Sequence, residues 1–291
     1  MKIGVVFPQT EIGPDRDDVR TYATRVEELG YTHLLAYDHV LGADPDVYEG
    51  WDGPYDISTQ FHEPFVLFGY LSAFTSLELV TGIIILPQRQ TALVAKQAAE
   101  VDLLTRGNFR LGVGLGWNRV EYEALGEDFS TRGRRIDEQV ALLRRLWTER
   151  SVSADGRFDK ITAAGLAPLP IQRPIPIWFG GSTPRAYERI GRIADGWFSL
   201  VQPGEKLEEA LLIIAEAARA EGRNPSSIGM EGRVDWRGDL ADLTKRVDSW
   251  RAVGATHLSI NTMRAGLKRA GDHLSALEEV ASVLRLGATD P

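Results

Sequence analysis

Strand-like and helix-like segments alternate along the whole chain, and this alternation restricts the possible folds more than any other feature. The strand candidates are residues 2–8, 32–38, 78–86, 109–115, 175–180, 196–201, 227–234 and 256–262. The clearest amphipathic helices are residues 16–29, 91–105, 131–149, 183–194, 205–221, 239–253 and 270–285. Eight strand–helix units in 291 residues match a (β/α)8 barrel, the α/β fold called the TIM barrel. We therefore predict one barrel domain over residues 1–291.

A doubly wound open sheet is the alternative fold for such an alternation. That fold usually has fewer strands, and its dinucleotide-binding form carries Gly-x-Gly-x-x-Gly after the first strand. Here the first strand ends in Phe7, Pro8 and Gln9, which favours the barrel. Residues 40–62 after strand two and 150–174 before strand five interrupt the rhythm, and we predict that both are insertions.

Composition limits the partners and the compartment. The formal net charge is −8 and the chain has no basic run, so neither nucleic acid nor an anionic membrane is an expected partner. The absence of cysteine excludes disulfides, thiolate metal sites and thiol nucleophiles. No apolar run approaches the ~20 residues of a membrane span, and the chain starts as a strand rather than a signal peptide. We expect a cytoplasmic protein whose partner is a small-molecule substrate.

Two strands end in glycine-rich turns, GVGLGWN over residues 112–118 and IWFGGST over residues 177–183. Glycine permits a close approach of the backbone to a ligand. The second turn leads into a helix with Ser/Thr at its cap and proline in its first turn, which presents free N–H groups to an anion such as phosphate. The alternative is a purely structural role, in which the glycines only allow the chain to reverse direction. The candidate binding residues are Gly114, Gly116, Trp117, Asn118, Gly180, Gly181, Ser182 and Thr183.

Asp38 and His39 end the second strand, on the face where TIM barrels place their active sites. Histidine transfers protons near pH 7, and an adjacent carboxylate can hold its tautomer, so the pair is a catalytic candidate. The alternative is that Asp38 caps the following loop while His39 packs beside it. The other histidines are interpreted as structural or as too scattered for a metal site: His33, His62, His257 and His273.

The third strand and its surroundings bear on what such a site binds. Residues 81–87 (TGIIILP) are almost wholly apolar, which is typical of a core strand. The end of such a strand also suits a flat aromatic ring system. Candidates for a cover over the site are Trp51, Tyr55 and Phe61. The arginines at one helix start are interpreted as a solvated face rather than a phosphate clamp: Arg132, Arg134 and Arg135.

Together these segments resemble the luciferase-like family of flavin and deazaflavin oxidoreductases. The matching segments, in order along nearly the whole chain, are residues 4–8 (GVVFP), 36–39 (AYDH), 81–87 (TGIIILP), 112–118 (GVGLGWN), 177–181 (IWFGG) and 194–197 (ADGW). Within this family the chain is most similar to the branch that uses coenzyme F420, a deazaflavin with a phosphate-bearing oligoglutamate tail.

The resemblance implies a barrel with a non-prolyl cis peptide in strand three, where a bulge backs the deazaflavin ring. Gly82, Ile83 and Ile84 thereby join the candidate cofactor residues. The resemblance also implies that Asp38 and His39 contact the ring and that the two glycine turns hold the phosphate. The family often forms dimers, and the helices near 63–75 and 91–105 carry extra apolar side chains, so a homodimer is expected.

The function implied is an F420-dependent oxidoreductase that transfers a hydride between the deazaflavin and a small organic substrate. His39 is the candidate for proton transfer, oriented by Asp38. In the sugar-phosphate dehydrogenases of this family a glutamate follows the strand-four glycines, whereas this chain has Trp117, so we expect a more apolar substrate pocket. Two alternatives stay open. One is an FMN-dependent monooxygenase that uses reduced flavin and oxygen, and the other is a non-catalytic flavin- or deazaflavin-binding protein.

Overall fold

The computed structural model describes residues 1–287. The strands are β1 (Lys2–Val6), β2 (His33–Ala36), β3 (Glu78–Thr81), β4 (Ile84–Ile85), β5 (Phe109–Gly114), β6 (Val152–Asp155), β7 (Lys160–Ala164), β8 (Ile177–Gly180), β9 (Gly196–Phe198), β10 (Gly229–Asp235) and β11 (His257–Asn261). The α-helices are α1 (Arg16–Glu28), α2 (Pro64–Leu71), α3 (Thr91–Leu104), α4 (Arg119–Ala124), α5 (Arg132–Thr148), α6 (Pro184–Ile193), α7 (Glu205–Ala220), α8 (Leu240–Ala252) and α9 (Ala270–Leu284).

The parallel strands form a closed barrel. Their order is β3-β2-β1-β11-β10-β9-β8-β5-β4, and β3 also pairs with β5, which closes the ring. With β3 and β4 counted as one interrupted strand, the nine strands of this sheet are the eight of a (β/α)8 barrel. The predicted fold is confirmed, and an open doubly wound sheet is excluded because the sheet closes on itself.

The predicted continuous strand over residues 78–86 is wrong, because the chain leaves the ladder after Thr81 and resumes it at Ile84. The hydroxyl of Thr81 donates to the carbonyl oxygen of Gly112 and accepts from the Gly112 N–H, both at 2.8 Å. At the break, this side chain therefore forms the hydrogen bonds to Gly112 of β5 that a neighbouring backbone would otherwise form. The peptide between Gly82 and Ile83 is cis, within the interval that the family resemblance implies.

The two insertions differ in character. Residues 40–62 carry no helix or strand, and we call this segment the roof loop. The second insertion contains the antiparallel hairpin of β6 and β7, which the sequence analysis did not predict. The Glu138 carboxylate on α5 accepts hydrogen bonds from three N–H groups of the hairpin turn, including those of Phe158 (3.0 Å) and Asp159 (2.9 Å). This contact fixes the hairpin against the outer helices.

The barrel interior contains a buried ionic cluster. The Arg110 guanidinium on β5 donates to Glu231 on β10 at 2.9 Å and lies 4.3 Å from the ring centroid of Trp178. His33 Nε2 lies 3.1 Å from the other Glu231 oxygen, and the Ser259 hydroxyl donates to that oxygen at 2.6 Å. Burial by itself raises the pKa of Glu231, but the charges of Arg110 and His33 outweigh it and hold this pKa far below its usual range.

The outer helices complete the core against the barrel. Their inward side chains include Trp147 and Trp250, which are fully buried. Across residues 1–287, every helix is too short or too polar to cross a bilayer.

Candidate functional site

A cavity of about 650 Å³ opens among residues that follow the carboxyl ends of the barrel strands, and we call it the main cavity. In TIM barrels this face carries the active site. The structure brings most of the sequence-predicted residues to its wall: Asp38, His39, Gly82, Ile83, Gly114, Gly116, Trp117, Gly180, Gly181, Ser182 and Thr183. The two glycine turns, the strand-three bulge and the end of β2 thus meet around one space.

Two predicted residues do not reach the main cavity. Ile84 is fully buried in the core, while its neighbours Ile83 and Ile85 line the cavity. Asn118 is 2% exposed and is the N-cap of α4, and its amide nitrogen donates to the carbonyl oxygen of Leu41 at 3.1 Å. The Asn118 amide is therefore occupied in capping and in anchoring the roof loop.

The glycine turns have no room for side chains. Gly116 has φ +66°, and a Cβ built on it lies 2.6 Å from Ile85 Cγ2. Gly181 has φ +156°, and its built Cβ lies 2.7 Å from the Cβ of Ala186. α6 begins directly beyond, with the Thr183 hydroxyl accepting from the Ala186 N–H at 3.3 Å. Bare backbone and a helix N-terminus therefore form one end of the main cavity, as anion binding requires.

Arg132 and Arg189 also line the main cavity. The Arg132 guanidinium lies 3.6 Å from the ring centroid of Phe129, and Arg189 donates to Asp137 at 2.6 Å. The interpretation of Arg132 as a solvated residue is wrong, because its guanidinium stacks on Phe129 and lines the main cavity. Arg134 is exposed, as interpreted. Arg189 was missed. Its position in the second turn of α6, close to the Thr183 cap, could have identified it as a candidate binding residue.

A buried carboxylate on α4 holds His39. Glu121 Oε1 lies 3.0 Å from His39 Nδ1 and accepts from the N–H groups of Val40 at 2.8 Å and Leu41 at 3.3 Å. The Gln88 amide donates to the second oxygen at 3.2 Å. Burial raises the pKa of Glu121, but the contacts with His39, Gln88 and Val40 lower it by more. The net pKa therefore lies below its ordinary value. Glu121 is therefore ionised at neutral pH.

Asp38 has a different partner. Its carboxylate pairs with Arg89 Nη2 at 2.8 Å and accepts from the Ile85 N–H at 3.2 Å, and Arg89 also pairs with Glu63 at 3.0 Å. Burial raises the pKa of Asp38 despite the nearby guanidinium. The prediction that Asp38 orients His39 is corrected here, since Glu121 holds the imidazole while Asp38 ties β2 to β4. Sequence reasoning missed Glu121 because α4 is too short to show a helical pattern.

Aromatic rings surround the imidazole, and several come from the roof loop. The His39 ring centroid lies 5.0 Å from that of Tyr55, 4.8 Å from Phe61 and 5.6 Å from Trp117. Trp51 lies 5.7 Å from Trp117 by the same measure. A second cavity of about 550 Å³ lies under the roof loop and shares His39 and Tyr55 with the main cavity. His39 thus occupies an apolar position between two spaces.

Comparisons with known proteins agree with this geometry. An F420-dependent glucose-6-phosphate dehydrogenase from Kribbella flavida is 27% identical over 295 residues, covering 97% of this chain and 83% of that protein. An FMNH2-dependent dimethylsulfone monooxygenase from Pseudomonas putida is 29% identical over 204 residues, covering 67% of this chain and 56% of that protein. The crystal structure of monooxygenase RslO1 from Streptomyces bottropensis superimposes with a TM-score of 0.79 at 19% identity, covering 98% of this chain and 100% of that one.

The family model for luciferase-like monooxygenases matches residues 1–272. This match covers the barrel, both glycine turns, the roof loop and the His39–Glu121 pair. The resemblance inferred from the sequence segments is thereby confirmed. The family includes both F420-dependent and flavin-dependent oxidoreductases. The chain belongs to the luciferase-like monooxygenase family.

Proposed function

We propose that this protein is an F420-dependent oxidoreductase that acts on a small organic substrate. The observation that carries the proposal is the main cavity, in which an apolar wall, an oriented histidine and an anion-binding end lie around one space of about 650 Å³. When bound, the deazaflavin supplies hydride transfer to or from the substrate. The protein residues supply binding, orientation, proton transfer and exclusion of water.

The wall of the main cavity at the strand-three bulge fits a flat ring. Ile83, Ile85 and Phe179 give it an apolar surface. At Gly82 a built Cβ lies 2.2 Å from Leu35 Cδ2, so a larger residue there displaces the Leu35 side chain. An apolar, largely preformed cleft with few polar groups is the usual environment of a ring-shaped cofactor.

The part of the main cavity at the N-terminus of α6 fits the phosphate of the cofactor tail. The N-terminus of α6 offers free N–H groups beside Ser182 and Thr183. Arg132 adds positive charge, and Arg189, which is paired with Asp137, adds further N–H donors. The whole chain carries a net charge of −8, so this local concentration of donors does not reflect a generally basic surface.

His39 is the proposed proton-transfer residue. Its Nδ1 is taken by Glu121, which fixes the ring and leaves Nε2 for a ligand. Three aromatic rings lie within 5.6 Å of the imidazole, centroid to centroid, and limit its exposure to the two cavities that it lines. An imidazole oriented by a buried carboxylate is a common arrangement for proton transfer in enzymes, and this favours an enzyme over a binding protein.

F420 is favoured over FMN by the extent of the relationships. The F420-dependent relative aligns with 97% of the chain, whereas the FMNH2-dependent relative aligns with 67%. The test is titration of the purified protein with F420 and with FMN, followed by cofactor fluorescence. We expect micromolar binding of F420 and at least about tenfold weaker binding of FMN. Micromolar FMN binding without F420 binding, with oxygen consumption in the presence of reduced FMN, establishes the monooxygenase alternative instead.

Gly181→Val is expected to raise the dissociation constant of F420 at least about tenfold, because a side chain there blocks the approach of phosphate to α6. Gly271→Ala in α9 is the control, since a Cβ built on Gly271 meets no atom within 4 Å. Thermal unfolding of both variants verifies that they fold. Normal F420 binding by folded Gly181→Val contradicts this placement of the phosphate.

We also propose a homodimer formed through α2 and α3. Side chains on this side of the barrel expose large apolar areas: Val66 is 72% exposed, Leu93 52% and Phe74 40%. Large exposed apolar side chains on neighbouring helices are typical of an interface. Light scattering at micromolar concentration is expected to give twice the chain mass, and Val66→Glu with Leu93→Glu is expected to give the monomer. A monomeric wild-type protein refutes the proposal.

A further inference from the structure

A third cavity, of about 240 Å³, adjoins the main cavity at the carboxyl ends of β10 and β11. Tyr37, Tyr55 and Arg233 line both spaces, so a single molecule can extend from one into the other. Arg237 follows β10 and Arg264 follows β11, and both line only the smaller space among these two. We call it the arginine pocket. Of the residues of this pocket, the sequence analysis selected Tyr55, as a candidate for the cover, and none of the arginines.

The arginine pocket carries a surplus of positive charge. Three guanidinium groups face one carboxylate, that of Asp235. Asp235 accepts from the Asn261 amide at 2.8 Å and lies 3.3 Å from Arg233 Nε. Among the ion pairs formed within residues 1–287, neither Arg237 nor Arg264 has an acidic partner. The pocket is thus short of negative charge, although the chain as a whole has an excess of it.

Arg233 is paired with Asp235, whereas the contacts of Arg264 include no ion pair of its guanidinium within residues 1–287. Arg264 has φ +63°, and the Glu11 carboxylate accepts from its backbone N–H at 2.7 Å. Its guanidinium carbon lies 5.7 Å from the ring centroid of Tyr55. Arg233 donates to the Tyr37 hydroxyl at 3.2 Å. The Tyr55 ring and the Tyr37 hydroxyl therefore contact the guanidinium groups of Arg264 and Arg233, which keep further donors for an anion.

We infer that the arginine pocket binds the carboxylate of an aromatic substrate whose reacting atom lies in the main cavity. Arginine binds carboxylates through paired, charge-assisted hydrogen bonds. The rings of Tyr37, Tyr55 and Trp236 line the same pocket and provide the apolar contact for the body of the substrate. The reaction part of this inference rests on the proposed function, whereas the binding part does not.

The test compares phenylacetate with phenylacetamide, which has nearly the same shape but no charge. Each is titrated into the protein without cofactor by isothermal calorimetry. Phenylacetate is expected to bind at least about tenfold more tightly, the difference made by one charge-assisted contact. The double variant Arg237→Gln/Arg264→Gln is expected to lose this preference and to keep the affinity for phenylacetamide. Arg219→Gln on α7, an exposed arginine outside the pocket, is the matched control and is expected to keep the preference.

F420 titrations of the same proteins separate the two proposals. The double variant is expected to bind F420 within a few fold of the wild type, because neither arginine lines the main cavity. Equal binding of phenylacetate and phenylacetamide by the wild type overturns the inference, as does a preference that survives in the double variant. A preference for the carboxylate in a protein that does not bind F420 supports the pocket and refutes the cofactor instead.

Discussion

His39→Asn is expected to lower turnover by a factor of about 10²–10⁴ and to leave F420 affinity within a few fold, because general acid–base catalysis contributes a rate factor of this size. Asparagine keeps a polar group at the end of β2 but cannot transfer a proton near pH 7. The measurement is deazaflavin absorbance with the best substrate from a panel of enones, alcohols, imines and aromatic carboxylates. Affinity is determined separately from cofactor fluorescence.

Glu121→Gln is the companion variant. Its amide oxygen still accepts a hydrogen bond from His39 Nδ1 at the position of Glu121 Oε1, so we expect a smaller loss of turnover than in His39→Asn. Glu121 acts through His39 and is a positioning residue. If His39→Asn instead abolishes F420 binding and leaves the rate per bound cofactor unchanged, His39 contacts the ring and transfers no proton.

Glu231→Gln is expected to lower the free energy of unfolding by about 3 kcal/mol, because it leaves a buried guanidinium without one of its carboxylate partners. Arg110 is 3% exposed and retains only the more exposed Glu78, at 2.9 Å. Urea denaturation measures the change. Asp155→Asn is the control, because the Lys160–Asp155 pair is more than three-quarters exposed on both sides and such pairs contribute little.

The same carboxylate gives stability a pH dependence of defined sign. The pKa of Glu231 is lower in the folded protein than in the unfolded chain, since the charges of Arg110 and His33 outweigh the effect of burial. Its contribution is therefore complete above the unfolded pKa of about 4.3 and is lost as the pH falls below it. The free energy of unfolding, measured with urea between pH 7 and pH 3, is expected to decrease less steeply with falling pH in Glu231→Gln than in the wild type. Parallel curves contradict this assignment.

The barrel could be predicted from the sequence because each strand–helix unit carries its own periodicity. The eight strands and the long helices follow from local patterns of apolar residues. The break at Thr81 could not be predicted in this way, because residues 79–86 are apolar except for Thr81 and Gly82 and the interruption depends on a contact with Gly112 on a neighbouring strand. The hairpin of β6 and β7 could not be predicted either, because its strands are short with few large apolar residues and its turn contacts Glu138 on α5.

The candidate site was predictable where backbone chemistry identifies it and not where side chains meet across the fold. The glycine turns could be predicted because glycines at a strand end, followed by a Ser/Thr cap and a proline, are typical of a strand–helix turn that binds an anion. The partner of His39 does not, since 82 positions separate it from Glu121 and an adjacent aspartate offered a simpler choice. Arg89 lies 51 positions from Asp38 and forms an ion pair with it, so that Asp38 does not orient the imidazole. Such pairings depend on how loops pack, and local sequence carries no record of them.

A single oxygen atom, Glu121 Oε1, receives the imidazole of His39 and the first two N–H groups of the roof loop. Any departure of Val40 and Leu41 from this atom removes neutralising donors from a buried anion and disturbs the contact that aligns the ring. Under the proposed function, the oxygen that anchors the start of the roof loop is also the one that orients the proton-transfer residue, so displacement of Val40 and Leu41 is expected to lower the reaction rate.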